Sequence, residues 1–340
     1  MLKMRGRALG LVGIVAALAT AWGRPAQAKD RFYHLGYGMI EVIDGDRDAI
    51  VAKIPLRGWT REAALSSDKK FLYVTASRHL IHKVSLAEDK VVATVDVSGD
   101  GWDRFIFGIT MAGDDRTAFA AMMSRTTRDG EAVVGAPVVA EVDLASGKII
   151  RSVEVPWGVA KLVTVKGGQQ IYALGKDIYK IDAAGGALKV VETVPMFDRK
   201  WNILPLWSYT WENGGLLAAN YYTPEIMGLV TIDEKTGEIG DFPIQGDPVL
   251  AYSVIVTPDR KTAYGVMDDL TVIDLANKKY GPVVPLKQGT SYAVNLSSDG
   301  RKIYAGSGGA SITVLDAATL KPLKTIQLTS DGMDLRRVTF

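Results

Sequence analysis

Residues 251–286 read AYSVIVTPDRKTAYGVMDDLTVIDLANKKYGPVVPL, and residues 291–328 read SYAVNLSSDGRKIYAGSGGASITVLDAATLKPLKTIQL. Laid over each other, Tyr252 falls on Tyr292, Asp259 on Asp299 and Tyr264 on Tyr304, a step of forty residues, and Asp274 falls on Asp316 after a slip of two. Each copy holds four short runs of β-branched and aromatic residues, broken by turn signals such as Thr257-Pro258-Asp259 and Asp274-Leu275-Ala276-Asn277. Four strands per forty residues is the period of a β-propeller blade. A four-stranded sheet cannot cover its own two faces, so such units must stack face to face.

Working outward from this pair, seven runs fit the last strand of a blade: 51–56, 91–97, 149–155, 188–194, 238–244, 280–286 and 323–328. The fold predicted is an all-β, seven-bladed propeller of four-stranded antiparallel blades. Before most of these runs comes a strand ending in an acidic turn, as in Val42-Ile43-Asp44-Gly45, Glu141-Val142-Asp143-Leu144 and Val314-Leu315-Asp316. Aspartate there closes a turn through its own backbone, which assigns these carboxylates to structure. The N-terminal side supplies only three strands, near 32–36, 39–44 and 50–56, and the C-terminus one spare, 335–340. Together they complete one blade and close the ring, leaving no open edge between first and last units.

The chain has 340 residues, 47% hydrophobic and 23% charged, with 35 glycines, a composition of a turn-rich globular protein. A net charge of +2 with no clustered basic face gives no reason to expect a nucleic-acid partner. No cysteine occurs, so disulfides, thiolate metal sites, thioether-linked haem and cysteine nucleophiles are excluded. Lys3, Arg5 and Arg7, an apolar run over 9–21, and Ala26-Gln27-Ala28 read as an export signal with its cleavage site. The apolar run falls short of the roughly 20 residues that cross a bilayer. Residues 1–28 are therefore assigned to a signal peptide and 29–340 to one propeller domain, exported and periplasmic.

The segment 121–138 is too long and polar for a two-residue hairpin and is expected to protrude, while 195–205 is a second long connection. His79 and His82 stand three apart and His34 alone, which does not suit a shared metal. Nucleophile elbows, phosphate-cradling glycine loops and Asp-x-Asp-x-Asp calcium loops are missing from the sequence. More informative are the residues where blades begin: Trp59, Trp102, Trp157, Trp207, Tyr252 and Tyr292, with Met333 in the seventh place. Inner strands line a propeller's channel, so these aromatics either form a collar around one mouth, suited to partner binding, or wedge between blades. Polar residues beside them include Arg61, Glu62, Asp103, Arg104, Tyr209, Glu212 and Asn213.

The run LPLWSYTWENGGLLAANYYTPEIMGLVTIDEKTGEI (204–239), followed by YSVIVTPDRKTAYGVMDDLTVIDLANK and SYAVNLSSDGRKIYAGSG, resembles the β subunit of quinohaemoprotein amine dehydrogenase. The likeness extends more weakly over about 30–340 and rests on blade order and on the 207–223 segment, which is not generic propeller sequence. Heavy chains of tryptophan tryptophylquinone amine dehydrogenases are related propellers. The resemblance implies a periplasmic heterotrimer in which a dihaem cytochrome c subunit and a small subunit bearing cysteine tryptophylquinone assemble on the propeller. Primary amines would be oxidised there to aldehyde and ammonia. A chain without cysteine can carry neither thioether-linked group, so no cofactor, metal or catalytic residue is assigned to it. Its candidates for a partner surface or active-site wall are Trp59, Trp102, Asp103, Arg104, Trp157, Trp201, Trp207, Tyr209, Tyr221, Tyr222, Tyr252 and Tyr292. The alternatives are a free-standing exported lactonase holding a channel metal through Glu62, Asp103 and Asn295, or a module that binds protein or cell wall.

Intact-mass measurement of the exported protein should give a chain starting at Lys29; a mass that retains residues 1–28 would refute the signal assignment.

Overall fold

The computed structural model describes residues 29–203, 208–247, 249–306 and 308–340. The signal assignment and Trp207 lie outside them, as does the Met333 side chain. Strands make up nearly all the regular structure, with two single-turn 3-10 helices at Lys166–Gly168 and Thr210–Glu212. The two repeats that open the sequence reading are each one four-stranded antiparallel sheet, over 253–285 and 293–327.

Among the described residues the sheets number six, which corrects the expectation of seven separate blades. The reason lies in one strand. β1 spans Asp30–Asp44 and β2 spans Ala49–Leu65. β2 pairs first with β1, from Asp44↔Ala49 to Tyr37↔Trp59, and then with Phe71–Ala76, from Thr60↔Ala76 to Leu65↔Leu72. It changes partner beside Gly58, whose φ of 84° marks a local kink, and continues as one strand. Two units that the sequence separates are thus joined in one six-stranded sheet.

The ends of the chain share that sheet. Gly332–Thr339 pairs antiparallel with β1 from Asp30↔Thr339 to Gly36↔Gly332, the closure predicted from the spare C-terminal strand. β1 also doubles back on itself. Fifteen extended residues would span about 50 Å, yet the Gly45 amide donates to the Asp30 carbonyl at 3.0 Å. The fold lies near Gly38, whose φ of 71° suits a residue without a side chain.

Packing follows the period of two. In Ser253–Val256, Val254 and Val256 join a core with Leu229 and Ala218 of the preceding sheet, while Ile255 joins one with Leu296 and Ile303 of the following sheet. Inner strands such as Ala293–Leu296 are buried throughout because sheets cover both faces. Outer strands such as Ile149–Glu154 alternate between half-buried and exposed. Across the closure, Phe32 packs on Tyr304 with ring centroids 4.0 Å apart.

A buried carboxylate clasps the start of the closing strand. Glu41, fully buried, accepts the Thr329 amide at 3.0 and 3.1 Å and its hydroxyl at 2.7 Å, with His34 Nδ1 and Lys53 Nζ each 3.5 Å away. Burial alone would raise its pKa; the His34 and Thr329 bonds overcome that and bring it from 4.5 down to about 2. A carboxyl depressed in the fold stabilises fully above its unfolded value and loses that contribution as pH falls from about 4.5 towards 2. Glu41→Gln should therefore lower the urea midpoint at pH 7 and lose progressively less, relative to wild type, as the pH drops through this window. Parallel midpoints at every pH would remove Glu41 from the clasp.

Candidate functional site

The ring's centre is filled by one turn. Ser208–Asn213 links the innermost part of its unit, at Ile203, to Leu216–Tyr222, which bonds back through the Ala218 carbonyl and Ser208 amide at 2.9 Å. Where the repeats use Thr257-Pro258-Asp259 or Ser297-Ser298-Asp299, this unit has Ser208-Tyr209-Thr210-Trp211-Glu212-Asn213. The larger side chains reach across the axis.

Glu212 is buried at 2% exposure. Its Oε2 accepts Arg336 Nη1 at 2.7 Å, and its Oε1 accepts the Arg337 amide at 2.6 Å and Asn295 Nδ2 at 2.8 Å. Arg337 returns Nη2 to the Glu212 carbonyl at 2.8 Å, and Arg336 also pairs with Asp334. Asn213 accepts the Val256 amide at 3.0 Å, and Trp211 Nε1 donates to the Arg337 carbonyl at 3.1 Å. Tyr209 lies beneath two cations, Lys161 Nζ 3.2 Å and Arg336 Cζ 4.1 Å from its ring centroid. Lys161 in turn donates to both oxygens of Glu62, at 2.9 and 3.2 Å. One turn thus meets strands from four of the other five sheets.

Burial pulls the Lys161 amine down to about 8, with the Glu62 carboxylate opposing, and burial beside Glu62 pushes the Tyr209 hydroxyl well above its ordinary range. Three acids, Glu62, Glu212 and Asp334, face three bases, Lys161, Arg336 and Arg337, so the centre is charge-balanced. Glu62 pairs with Lys161, and Glu212 and Asp334 with Arg336, while the Arg337 guanidinium donates to the Glu212 and Leu296 carbonyls, and these bonds hold the strands together. A cavity of about 550 Å³ opens below them, with Lys161, Tyr209, Trp211, Thr110 and Thr164 in its walls.

The sequence candidates divide by depth. Trp59 and Trp157 are each 58% exposed, and Tyr37, at the fold in β1, reaches 67%. Trp102, Tyr252 and Tyr292 are half-buried, and the two tyrosines stack at 5.3 Å. All five candidates precede inner strands and so stand at one mouth of the channel. Asp103 is exposed and lies 3.5 Å from Arg125, while Arg104 bonds the Val97 carbonyl at 2.6 Å and faces Asp100. Trp201, Tyr209 and Tyr221, also candidates for a partner surface or active-site wall, are buried within this chain. Trp201 and Tyr221 pack with Met196 and Leu217 between sheets, and the Tyr221 hydroxyl donates to Asp241 at 2.7 Å. Tyr222 is half-buried against the next core.

The lactonase ligand set is not brought together. Glu62 is spent on Lys161, Asn295 on Glu212 and the Leu335 carbonyl, and Asp103 sits out at the surface. Among the described residues no three His, Cys, Asp or Glu side chains stand close enough to share a metal. His82 bonds Thr94 at 2.8 Å while His79 lies 3.9 Å from Asp96, so the two histidines diverge. The predicted protruding segment is a hairpin, Thr117–Arg128 paired with Glu131–Val134.

Fold and centre define the class: a β-propeller with a plugged channel. No family model matches the chain, and no curated protein matches it in sequence. Among solved structures it is similar to a functionally unknown protein from Desulfotomaculum acetoxidans DSM 771, at TM-score 0.63 and 13% identity over 90% of this chain and 98% of that one. It is similar to Kuenenia stuttgartiensis hydrazine synthase, at TM-score 0.57 and 16% identity over 86% and 90%. It is also similar to dihydro-haem d1 dehydrogenase NirN, at TM-score 0.57 and 16% identity over 94% and 78%. At these identities the likeness is one of fold.

Glu212→Ala leaves Arg336 buried without its main partner and should cost about 3–5 kcal/mol in urea unfolding, with Glu212→Gln costing less. A loss under about 1 kcal/mol in both variants would show that the turn does not hold the ring.

Proposed function

We propose that this chain is the non-redox propeller subunit of an exported amine dehydrogenase complex, docking through its aromatic mouth to partners that carry the quinone and the haems. The observation that carries the reading is the pairing of a plugged, charge-balanced channel with exposed Trp59, Trp157 and Tyr37 at one mouth. The chemistry-bearing side chains at the centre are consumed by structure, whereas large apolar rings stand in water where a partner would bury them. The turn Ser208–Asn213 at the ring's centre lies within the segment that carries the resemblance to the amine dehydrogenase β subunit. Two proteins of similar fold are named as a hydrazine synthase and a dihydro-haem d1 dehydrogenase, which is compatible with this reading. Cysteine tryptophylquinone and haem c would sit on the partner chains, since this one has no cysteine. The propeller's part would be a rigid wall that excludes water from the quinone.

The test is isolation of the tagged protein from the organism that makes it, followed by mass spectrometry and an amine-dependent dye-reduction assay. A haem-bearing chain and a small cross-linked chain should co-elute, and Trp59→Ala with Trp102→Ala should lower the yield of active complex by about tenfold while the propeller stays folded. A propeller that elutes alone, or that oxidises amines unaided, would overturn the reading.

A further inference from the structure

One sector of the aromatic mouth differs from the rest in charge and shape. Between β2 and the hairpin at 117–134, three arginines lie over aromatic rings: Arg61 over Phe107 at 5.0 Å, Arg78 over Phe105 at 5.4 Å and Arg128 over Trp102 at 5.7 Å. The sector is continuous. The Ile106 amide donates to the Arg78 carbonyl at 2.7 Å, and the Ser77 amide donates to that of Trp59 at 3.3 Å. All three arginines are exposed, and among the described residues none has a carboxylate within 4 Å, whereas neighbouring Arg104 and Arg125 face Asp100 and Asp103. Beside them lies an apolar socket of about 200 Å³, walled by Phe107, Met122, Met123, Pro137, Val138 and Trp157. The opposite arc, with Tyr222, Tyr252 and Tyr292, has no arginine stacked on its rings.

We infer that this sector is the primary docking surface of the mouth, and that it takes an acidic protein surface presenting one apolar anchor side chain. The inference rests on the reading of the mouth as a partner face and names where on it the partner sits. A guanidinium lying over an aromatic ring is restrained and weakly hydrated, so pairing it with a partner's carboxylate loses less side-chain entropy than pairing a free one. The socket has the volume for a leucine or an aromatic ring, and its two methionines adapt to either. A protein is favoured over a nucleic-acid strand because the apolar socket takes a protruding side chain, and three arginines without acidic partners are too few to follow a phosphate backbone.

The experiment uses the full-length protein and the chain that co-elutes with it, purified and titrated by biolayer interferometry. Arg61→Glu/Arg78→Glu/Arg128→Glu and, separately, Trp157→Ala should each weaken binding by about tenfold or more. Lys69→Glu/Lys235→Glu at the other mouth should leave it within about twofold. Wild-type affinity should fall as salt rises from about 50 to 300 mM. All variants are first required to keep the wild-type thermal midpoint. A co-eluting chain that binds all variants equally overturns this surface and leaves the partner reading standing. Absence of any co-eluting chain overturns both. Tighter binding to a single-stranded oligonucleotide than to the protein partner would also overturn the assignment.

Discussion

The structure depends on the Glu212 carboxylate, which sits at the centre of the ring and is bonded to Arg336, Asn295 and the Arg337 amide. A propeller is made of sheets that touch only their neighbours, so its centre tends towards a water-filled hole. Here a single turn, Ser208–Asn213, crosses that hole and ties strands far apart in sequence. Two of its partners lie on the closing strand Gly332–Thr339, so the turn also fastens the last element to arrive. Glu41 does the same at the strand's beginning through Thr329. The closure thus carries a polar clasp at each end, in addition to its ladder with β1.

The centre is filled by paired and hydrogen-bonded side chains, and the surface around it is uneven. The outer strands expose scattered valines and isoleucines such as Val92, Ile150 and Val191, whereas the mouth where inner strands begin exposes Tyr37, Trp59 and Trp157. Isolated aliphatic residues on sheet edges are ordinary, but aromatic rings gathered on one face are not.

Much of the fold was legible because it is periodic. The forty-residue step fixed the two four-stranded sheets at 253–285 and 293–327, and the acidic turns behaved as read, with Asp44 and Asp274 capping amides of residues that follow them. The sharing of one sheet by both ends followed from counting strands. The number of sheets did not, because periodicity marks where strands recur and is silent on whether one strand continues between two partners, as β2 does. The centre was also missed. Tyr209 reads from sequence as a polar neighbour of a blade-start aromatic and a partner-surface or wall candidate, and it lies buried under two cations supplied from positions 161 and 336. A signal was present: a glutamate and two aromatics in a turn where the repeats carry Thr-Pro-Asp or Ser-Ser-Asp, and an Arg336-Arg337 pair in the strand read as closing the ring.

By itself the sequence determined the class of fold, the absence of any thiol-based cofactor attachment, and the positions at which aromatic residues recur, since each is written in composition or in short-range spacing. Only the tertiary structure decided which of those aromatics face water and which pack inside, how many sheets form, and that the channel is closed by paired charges. Those outcomes depend on contacts between residues far apart in the chain, such as Glu212 and Arg337, 125 positions apart, and Glu41 and Thr329, 288 apart. Spacing along the chain carries no record of which side chains the closing of a ring will bring face to face.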